Sequence, residues 1–286
     1  MSVFKDVVRD SVQAVKGIVK IILLSHGRRV PRIAASGETL VVMGNGPSLA
    51  ANMVDDMELL STSTTMTVNF AANAPEFTLL KPRFHVLADP HFFNSEEGNV
   101  EALWRSLAAV SWEMVLLVPY SFFKAARRRL GDSVHVSVSG FNCVGVEGFG
   151  SFRRAVYRRG LGMPRPRNVL IPSIMLGMAL GYEKIVLLGA DHSWMRTLSV
   201  TSDNEVVSVQ PHFYKEEKRE EERVRHEYRG YRLHDIVDSF AVAFRSYHDI
   251  AAYAMAEGVD IVNATPGSFI DAFRRATLDE AIKNKR

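Results

Sequence analysis

The feature that most constrains this fold is an apolar run that stops abruptly in small and polar residues, TLVVMGNGPSL at positions 39–49. The run predicts a strand buried on both faces, as in a parallel sheet. Gly44 and Gly46 allow a sharp turn and a close approach of the backbone to a ligand, where a Cβ would clash. Pro47 and Ser48 suit the start of a helix, whose N–H groups would then face a ligand above the strand. The pattern differs from G-x-G-x-x-G and from a Walker loop, so a strand, turn and helix without a ligand is the alternative.

Strands and helices alternate along most of the remaining chain, which predicts an α/β fold. We expect a Rossmann-like, doubly wound and mostly parallel sheet with helices on both faces. Gly181 is placed to end the helix that precedes the strand at 184–188. The predicted strands span 39–43, 65–69, 83–88, 114–118, 134–138, 184–188 and 260–262, and the predicted helices span 48–60, 96–110, 121–130, 172–180, 234–257 and 266–275.

Two segments interrupt this alternation. Residues 139–167 are rich in glycine, arginine and aromatic residues, and predict a loop-rich excursion. Residues 195–231 lack apolar periodicity and contain a dense run of charges. Such a run is typical of a solvated helix or loop, and beside the strand ends of an enzyme it predicts a lid. We therefore divide the chain into a basic N-terminal segment, 1–36, and a catalytic domain, 37–286, that contains the insertion.

Composition limits the function. The 286 residues include one cysteine, Cys143, which rules out an intrachain disulfide and a cysteine-based metal cluster and fits a reducing compartment. We expect no secretory signal, because the first apolar stretch carries lysines and lacks a cleavage site. No apolar run is long enough to span a bilayer. Arginines cluster at 153–167, but no nucleic-acid-binding module accompanies them, so we expect phosphate-bearing ligands or an anionic membrane and no nucleic acid.

The first 24 residues have the periodicity of an amphipathic helix. Its basic side chains lie opposite its apolar ones, which predicts attachment to an anionic membrane surface. A helix packed on the domain, or a contact between copies in a homo-oligomer, is the alternative. The apolar face comprises Phe4, Val7, Val8, Val15, Ile18, Val19 and Ile22, and the basic face comprises Lys5, Arg9, Lys16 and Lys20.

Polar side chains follow five of the predicted strands at the point where each strand ends. Because parallel strands end at one edge of a sheet, we expect these side chains to line one crevice. Asparagine amides can both donate to and accept from a sugar or a base, although turns also favour asparagine. Carboxylates can bind a ribose, hold a metal or cap a helix. The predicted binding residues are Gly44, Asn45, Gly46, Ser48, Asn69, Asp89, Asn263 and Ser268.

Three histidines and one carboxylate are the main candidates for acid–base catalysis, since imidazole titrates near neutral pH, and His91, which follows Asp89, is a weaker one. Asp191 and His192 follow the strand at 184–188. His212 lies in the aromatic stretch QPHFY inside the insertion, and His234 opens a long helix. A lone histidine is more often structural than catalytic, so the identity of the base stays open, with His212 as the first choice.

Four blocks of the sequence resemble the bacterial sialyltransferases that modify lipooligosaccharide. They are the hexapeptide Gly44–Leu49, the stretch Thr67–Phe70, the helix, turn and strand at Met178–Asp191, and the turn Asn263–Ser268. The same blocks resemble the MAF-type flagellin glycosyltransferases and the MptE-like 6-hydroxymethylpterin diphosphokinases. Two positions depart from the sialyltransferase pattern, because Asp89 replaces an asparagine and Ser193 replaces a tyrosine that stabilises the leaving phosphate.

This resemblance implies a glycosyltransferase that uses a nucleotide-sugar donor, with a CMP-linked sugar as the first choice. The acceptor would be a bacterial surface glycan or its lipid-linked precursor, and a histidine between the Gly-x-Asp strand and the long helix would act as base. With the basic N-terminal helix, the resemblance implies a location in the cytoplasm, peripheral to the inner membrane. The resemblance implies that no metal is required, although Asp89 and Asp191 leave a role for Mg²⁺ open. The alternatives are an MptE-like pterin diphosphokinase with Mg²⁺ on those two carboxylates, and a non-enzymatic, membrane-peripheral nucleotide-binding protein.

Overall fold

The structure is a computed structural model that describes residues 2–34, 37–208 and 230–283. Ten strands lie in these ranges: β1 Thr39–Met43, β2 Thr64–Val68, β3 Phe84–Val86, β4 Met114–Pro119, β5 Val136–Phe141, β6 Lys184–Leu188, β7 Ser199–Val200, β8 Val206–Val207, β9 Asp260–Asn263 and β10 Arg274–Arg275. The α-helices are α1 Ser2–Leu24, α2 Leu49–Asp55, α3 Met57–Ser61, α4 Glu76–Leu80, α5 His91–Asn94, α6 Gly98–Ala108, α7 Phe123–Leu130, α8 Gly150–Arg158, α9 Leu170–Leu180, α10 Leu233–Glu257 and α11 Leu278–Lys283.

Eight strands form one sheet in the order β10-β9-β6-β1-β2-β3-β4-β5, and every neighbouring pair is parallel. The chain builds outward from β1 to β5 and then returns to the other side of β1, where it adds β6, β9 and β10. The connections therefore reverse direction between β1 and β6, and this is the switch point at which open α/β sheets bind ligands. The doubly wound, parallel fold predicted from the sequence is confirmed.

Alternate side chains of the central strands enter separate cores on the two faces of the sheet. Leu40 and Val42 of β1 pack with residues of α9 and α10, whereas Val41 and Met43 pack with α2, α3 and α11. A third core joins β4 to α6 and α7. Strand side chains alternate between faces, so apolar residues at every position demand helices on both sides. Gly181 ends α9 at φ +101°, as its position predicts.

The helix predicted at 266–275 is wrong. Asn263 Nδ2 donates hydrogen bonds to Ser268 Oγ at 2.9 Å and to the Ile270 carbonyl at 3.2 Å. Gly267 between them adopts φ +64°, which a right-handed helix does not contain. These bonds fold the segment into a turn, and the chain then adds the short edge strand β10.

Two further predictions need correction. The helix predicted at 48–60 is divided into α2 and α3 at Asp56, whose carboxylate accepts a hydrogen bond from Asn52 Nδ2 at 2.8 Å. The excursion predicted at 139–167 contains the end of β5 and the whole of α8. Residues 195–208 of the predicted insertion include the antiparallel pair β7–β8, and residues 209–229 lie outside the described part of the chain.

Helix α1 contacts the rest of the protein through Ala14, Gly17 and Ile21 and leaves most of its apolar side chains exposed. Gly17 is buried against Phe152, and Ala14 lies against Gly148. The other face bears Phe4, Val7, Val8, Val12, Val15, Ile18, Val19, Ile22, Leu23 and Leu24, which are 46–74% exposed. None of the described helices has the length and apolarity needed to cross a membrane.

Candidate functional site

A cavity of about 430 Å³ lies at the carboxyl ends of β1, β2, β3 and β6. The loops after these strands supply its floor, and the first turns of α9 and α10 supply a wall. Seven predicted residues line it: Gly44, Asn45, Gly46, Asn69, Asp89, Asp191 and His192. Sequence reasoning missed Arg167, Asn168, Trp194, Ile236, Ser239, Phe240 and Ala243. The spacing of the last four, at i, i+3, i+4 and i+7, is one helix face and could have identified that wall.

Gly44 and Gly46, in the loop after β1, are required because the backbone of the loop after β6 lies directly against them. A Cβ on Gly189, which adopts φ +58°, would lie 2.6 Å from the Gly44 carbonyl oxygen, and a Cβ on Gly44 would in turn overlap the Gly189 carbonyl. A Cβ on Gly46 would overlap the Asp191 carboxylate and lie 2.7 Å from the Gly189 oxygen. The loops after β1 and β6 therefore pack backbone to backbone, which explains both glycines without a ligand.

Asp191 joins the same two loops. Its carboxylate accepts hydrogen bonds from the Ser48 N–H at 3.2 Å and from Ser48 Oγ at 2.7 Å. Ser48 thus binds a carboxylate of the protein itself, so the N–H group that the sequence assigns to a ligand is already used. Asp89 is exposed, and its Oδ1 accepts the His91 N–H at 2.8 Å, which caps α5. Among the residues that the structure describes, no group of three acidic, histidine or cysteine side chains could hold a metal ion.

Asn69 follows β2 in the left-handed conformation, at φ +51°. His85 Nε2 donates to the Asn69 carbonyl at 3.0 Å, while His85 Nδ1 accepts from the Thr67 hydroxyl at 2.8 Å. Burial lowers the pKa of His85 to about 3, so the ring is neutral and this tautomer is fixed. The Asn69 Oδ1 is buried and has no hydrogen-bond partner within the described chain. His85 therefore holds the left-handed backbone of Asn69 in place at the edge of the cavity.

His192 has the same left-handed backbone, at φ +51°, after β6. Its Nε2 donates to the Tyr247 oxygen at 2.6 Å, and the Tyr247 hydroxyl donates to Asn168 Oδ1 at 2.9 Å. Asn168 Oδ1 also accepts the Leu170 N–H at 3.0 Å and so caps α9. Burial lowers the pKa of His192 to about 3, which makes it a weak base at neutral pH. The chain of hydrogen bonds ties the β6 loop to α9 and α10.

Four predicted site residues lie outside the cavity lining, and a fifth is not described. Asn263 and Ser268 are buried, and Ser268 Oγ donates to the Ala190 carbonyl at 2.6 Å. These two residues therefore stabilise the loop after β6 without lining the cavity themselves. Ser48 acts through Asp191. The side chain of His234 is 76% exposed at the start of α10. His212 falls outside the described residues, and its assignment as base stays a prediction from the sequence.

Stability is expected to fall as the pH drops from about 6.5 toward 3, because the two buried histidines bind no proton in the folded protein but bind one each when unfolded. Each depressed pKa costs up to about 1.4 kcal/mol per pH unit within that window. Urea unfolding of the wild type and of His85→Gln at pH 7.5 and pH 5 tests this. The variant should lose about 2 kcal/mol less than the wild type between these two pH values. If the free energy of unfolding fell equally in the two proteins, His85 would bind its proton as readily in the folded state as in the unfolded state.

No protein-family model matches the chain, and no curated protein matches it. Among solved structures it is similar to the MAf glycosyltransferase from Magnetospirillum magneticum AMB-1, with a TM-score of 0.48 and 11% sequence identity. The alignment covers 90% of this chain and 37% of that one. This chain therefore spans little more than a third of that structure, and a similarity of this size carries no statement about activity.

Proposed function

We propose that the protein is a glycosyltransferase that uses a nucleotide-sugar donor at a membrane surface. The observation that carries the proposal is the cavity at the switch point of the sheet, where Asn69, Asp89, Asp191 and His192 surround one space. Open α/β sheets bind nucleotides at this position. A volume of about 430 Å³ falls within the range of small-molecule sites.

The cavity also suggests how the donor is held. Amides of Asn45 and Asn69 would meet the base and ribose. The helix amino ends offer little to the phosphates, because the Ser48 N–H is bonded to Asp191 and the Leu170 N–H to Asn168. We therefore assign the leaving phosphate to Arg167, which is exposed at the cavity and forms no ion pair with any described residue. A guanidinium placed there would stabilise the charge that develops as the glycosidic bond breaks.

The sequence resemblance makes a CMP-linked sugar the first donor to test, and a surface glycan or its lipid-linked precursor the acceptor class. The exposed apolar face of α1 supports a membrane location, since ten large apolar side chains on one helix are 46–74% exposed. Embedded in a headgroup region, this helix would keep the cavity near lipid-linked acceptors.

Nucleotide binding is expected to raise the melting temperature of the full chain. A ligand at 100 times its Kd adds about 2.7 kcal/mol of stability, which is several degrees for a domain of this size. We would screen CMP, CDP, UDP, GDP and ATP, with and without Mg²⁺. Asn69→Gly should weaken binding of the best nucleotide about tenfold, because the side chain is lost while the left-handed backbone is kept.

Lys81→Gly is the matched control, because Lys81 is also left-handed, at φ +47°, but does not line the cavity. Equal affinity of the two variants would exclude Asn69 from the site. An absence of any nucleotide-induced shift would contradict the proposed function. If ATP binds only with Mg²⁺, and Asp89→Asn and Asp191→Asn both abolish that binding, the diphosphokinase alternative is favoured, since both carboxylates line the cavity.

Membrane attachment is expected to depend on the exposed apolar face of α1. The triple variant Val15→Ser, Ile18→Ser and Ile22→Ser should bind vesicles of phosphatidylglycerol at least 100-fold more weakly than the wild type, because three apolar side chains no longer enter the bilayer. Sedimentation with vesicles measures this.

The control for α1 replaces three apolar residues of the domain that are even more exposed, Val54, Val134 and Met255, at 81–85%. Serine at these positions should leave sedimentation unchanged. If the α1 variant instead remained bound to vesicles while losing a dimer peak in sedimentation velocity, the face would be a contact between copies.

A further inference from the structure

A second cavity, of about 650 Å³, lies at the amino ends of β6 and β9. It is lined by residues that precede these strands, by the segment 26–34, which links α1 to the sheet domain, and by residues of α8 and of the carboxyl end of β5, among them Tyr157 and Phe141. None of its lining residues lines the first cavity. The reaction proposed above does not use this second cavity.

The segment 26–34 is fixed to the domain near both ends. The buried amide of Asn142 accepts the His26 N–H at 2.8 Å and donates to the His26 carbonyl at 2.9 Å. At the other end, the Leu180 carbonyl accepts the N–H groups of Ile33 and Ala34 at 2.9 and 3.1 Å. The wall that this segment forms is therefore held in place by main-chain bonds, independently of its own side chains.

Three arginines of this segment face the cavity: Arg28, Arg29 and Arg32. They are exposed and form no ion pair with the residues that the structure describes. A fourth arginine of the lining, Arg158, is already paired with Glu257 at 2.7 Å. Glu183 is the remaining acidic residue of the lining, so the cavity carries a net positive charge.

The floor beneath the arginines is apolar. Met163, Met175 and Met178 line it together with Phe141 and Leu176, and all five are buried. Methionine side chains adapt to flexible apolar ligands, because they are unbranched and polarisable. A cationic rim above an apolar floor matches a ligand with an anionic head and a hydrocarbon chain, and matches neither a free anion nor a neutral lipid.

The segment that bears these arginines follows the apolar end of α1 along the chain. Ile22, Leu23 and Leu24, which are 60–74% exposed, end one residue before it. We propose that the cavity binds one anionic phospholipid, with its phosphate on Arg28, Arg29 and Arg32 and an acyl chain against the methionines. The site would select for headgroup charge, whereas α1 alone would bind through apolar burial. Nothing in this proposal depends on the reaction catalysed at the first cavity.

The test is calorimetric titration of the full chain with dihexanoyl phosphatidylglycerol below its micelle concentration. Dihexanoyl phosphatidylcholine and inorganic phosphate are the comparison ligands, so that lipid and free anion are distinguished. We expect binding of phosphatidylglycerol and at least tenfold weaker binding of the other two. Inorganic phosphate or phosphatidylcholine binding as tightly as phosphatidylglycerol would overturn the proposal, as would no binding of phosphatidylglycerol.

Two variants locate the site. The triple variant R28Q, R29Q and R32Q should weaken phosphatidylglycerol binding about 100-fold, since each basic residue contributes about one factor of five. The control K124Q, R127Q and R128Q removes the same charge from exposed positions of α7 and should change affinity no more than a few-fold. If both triple variants lost the same affinity for phosphatidylglycerol, the attraction would come from the overall charge of the protein and not from these three arginines, and the proposal would be overturned.

Ala179→Trp provides a test that spares the arginines. Ala179 lines the cavity and is exposed on α9, so a large side chain there should fill the space without disturbing the core. We expect an unchanged melting temperature and loss of phosphatidylglycerol binding. Retained binding in the folded variant would show that the lipid lies elsewhere.

Discussion

Gly44→Ala is expected to destabilise the whole domain by about 2–4 kcal/mol, as overpacking against rigid backbone does. The added Cβ would overlap the Gly189 carbonyl oxygen, and neither loop can move without breaking contacts at the centre of the sheet. The Gly44 N–H donates to the Leu188 carbonyl at 2.8 Å and the Gly46 N–H to the Gly189 carbonyl at 2.9 Å, so displacement would cost hydrogen bonds as well. Urea unfolding followed by circular dichroism measures the change.

The matched substitution is Gly98→Ala, at the first residue of α6, where a Cβ meets no atom within 4 Å. That variant should be as stable as the wild type or more stable by up to about 1 kcal/mol, because alanine restricts the unfolded chain. A Gly44→Ala protein that unfolds at the wild-type urea concentration would show that the β1 and β6 loops do not pack as described.

His212→Ala is expected to lower kcat by about 10²–10⁴-fold and to leave donor affinity nearly unchanged. The reason is its position in the sequence between β6 and α10, and its proposed contact with the acceptor rather than with the nucleotide. The structure argues against two of the other candidates, since His192 is a weak base with a pKa of about 3 and the His234 side chain is 76% exposed outside the cavity. His91, a weaker candidate, does line the cavity. Steady-state kinetics with a CMP-linked donor would measure the effect.

His135→Ala serves as the control, because His135 lies just before β5 and outside the cavity. If His234→Ala abolished turnover while His212→Ala did not, the role of base would pass to the start of α10. If turnover survived both substitutions, neither histidine would be the base of the proposed reaction.

The sequence predicts the centre of the sheet better than its connections. β1 and β6 have the predicted bounds, because an apolar run bounded by polar residues identifies a fully buried strand without other information. The turn after β9 was predicted as a helix, because side chains close it: Asn263 Nδ2 bonds Ser268 and Ile270, and Ser268 Oγ bonds the Ala190 carbonyl, 78 positions away in the sequence. Local propensity could not reveal that bond.

The candidate site was also predicted only in part. The polar residues after β1, β2, β3 and β6 were found, because parallel strands place their carboxyl ends together. The bond between Ser48 and Asp191 was missed, and it changes the role of both residues. It joins loops 143 positions apart, and the sequence pattern of each loop fits a ligand as well as it fits the other loop. Only the packed structure distinguishes the two uses.

The pairing of β1 with β6 also determines how late the central part of the sheet can be completed while the chain is synthesised on the ribosome. Thr39 pairs with Lys184, so one edge of the central strand has no partner until about 145 further residues have been made. At 5–20 residues per second that interval lasts roughly 7–30 seconds. During it the apolar edge of β1 is open to wrong pairing, and the Gly44 loop lacks the Gly189 loop against which it packs. The cavity therefore cannot form gradually during synthesis, and we expect nascent chains that end before β6 to need a chaperone and to bind no nucleotide.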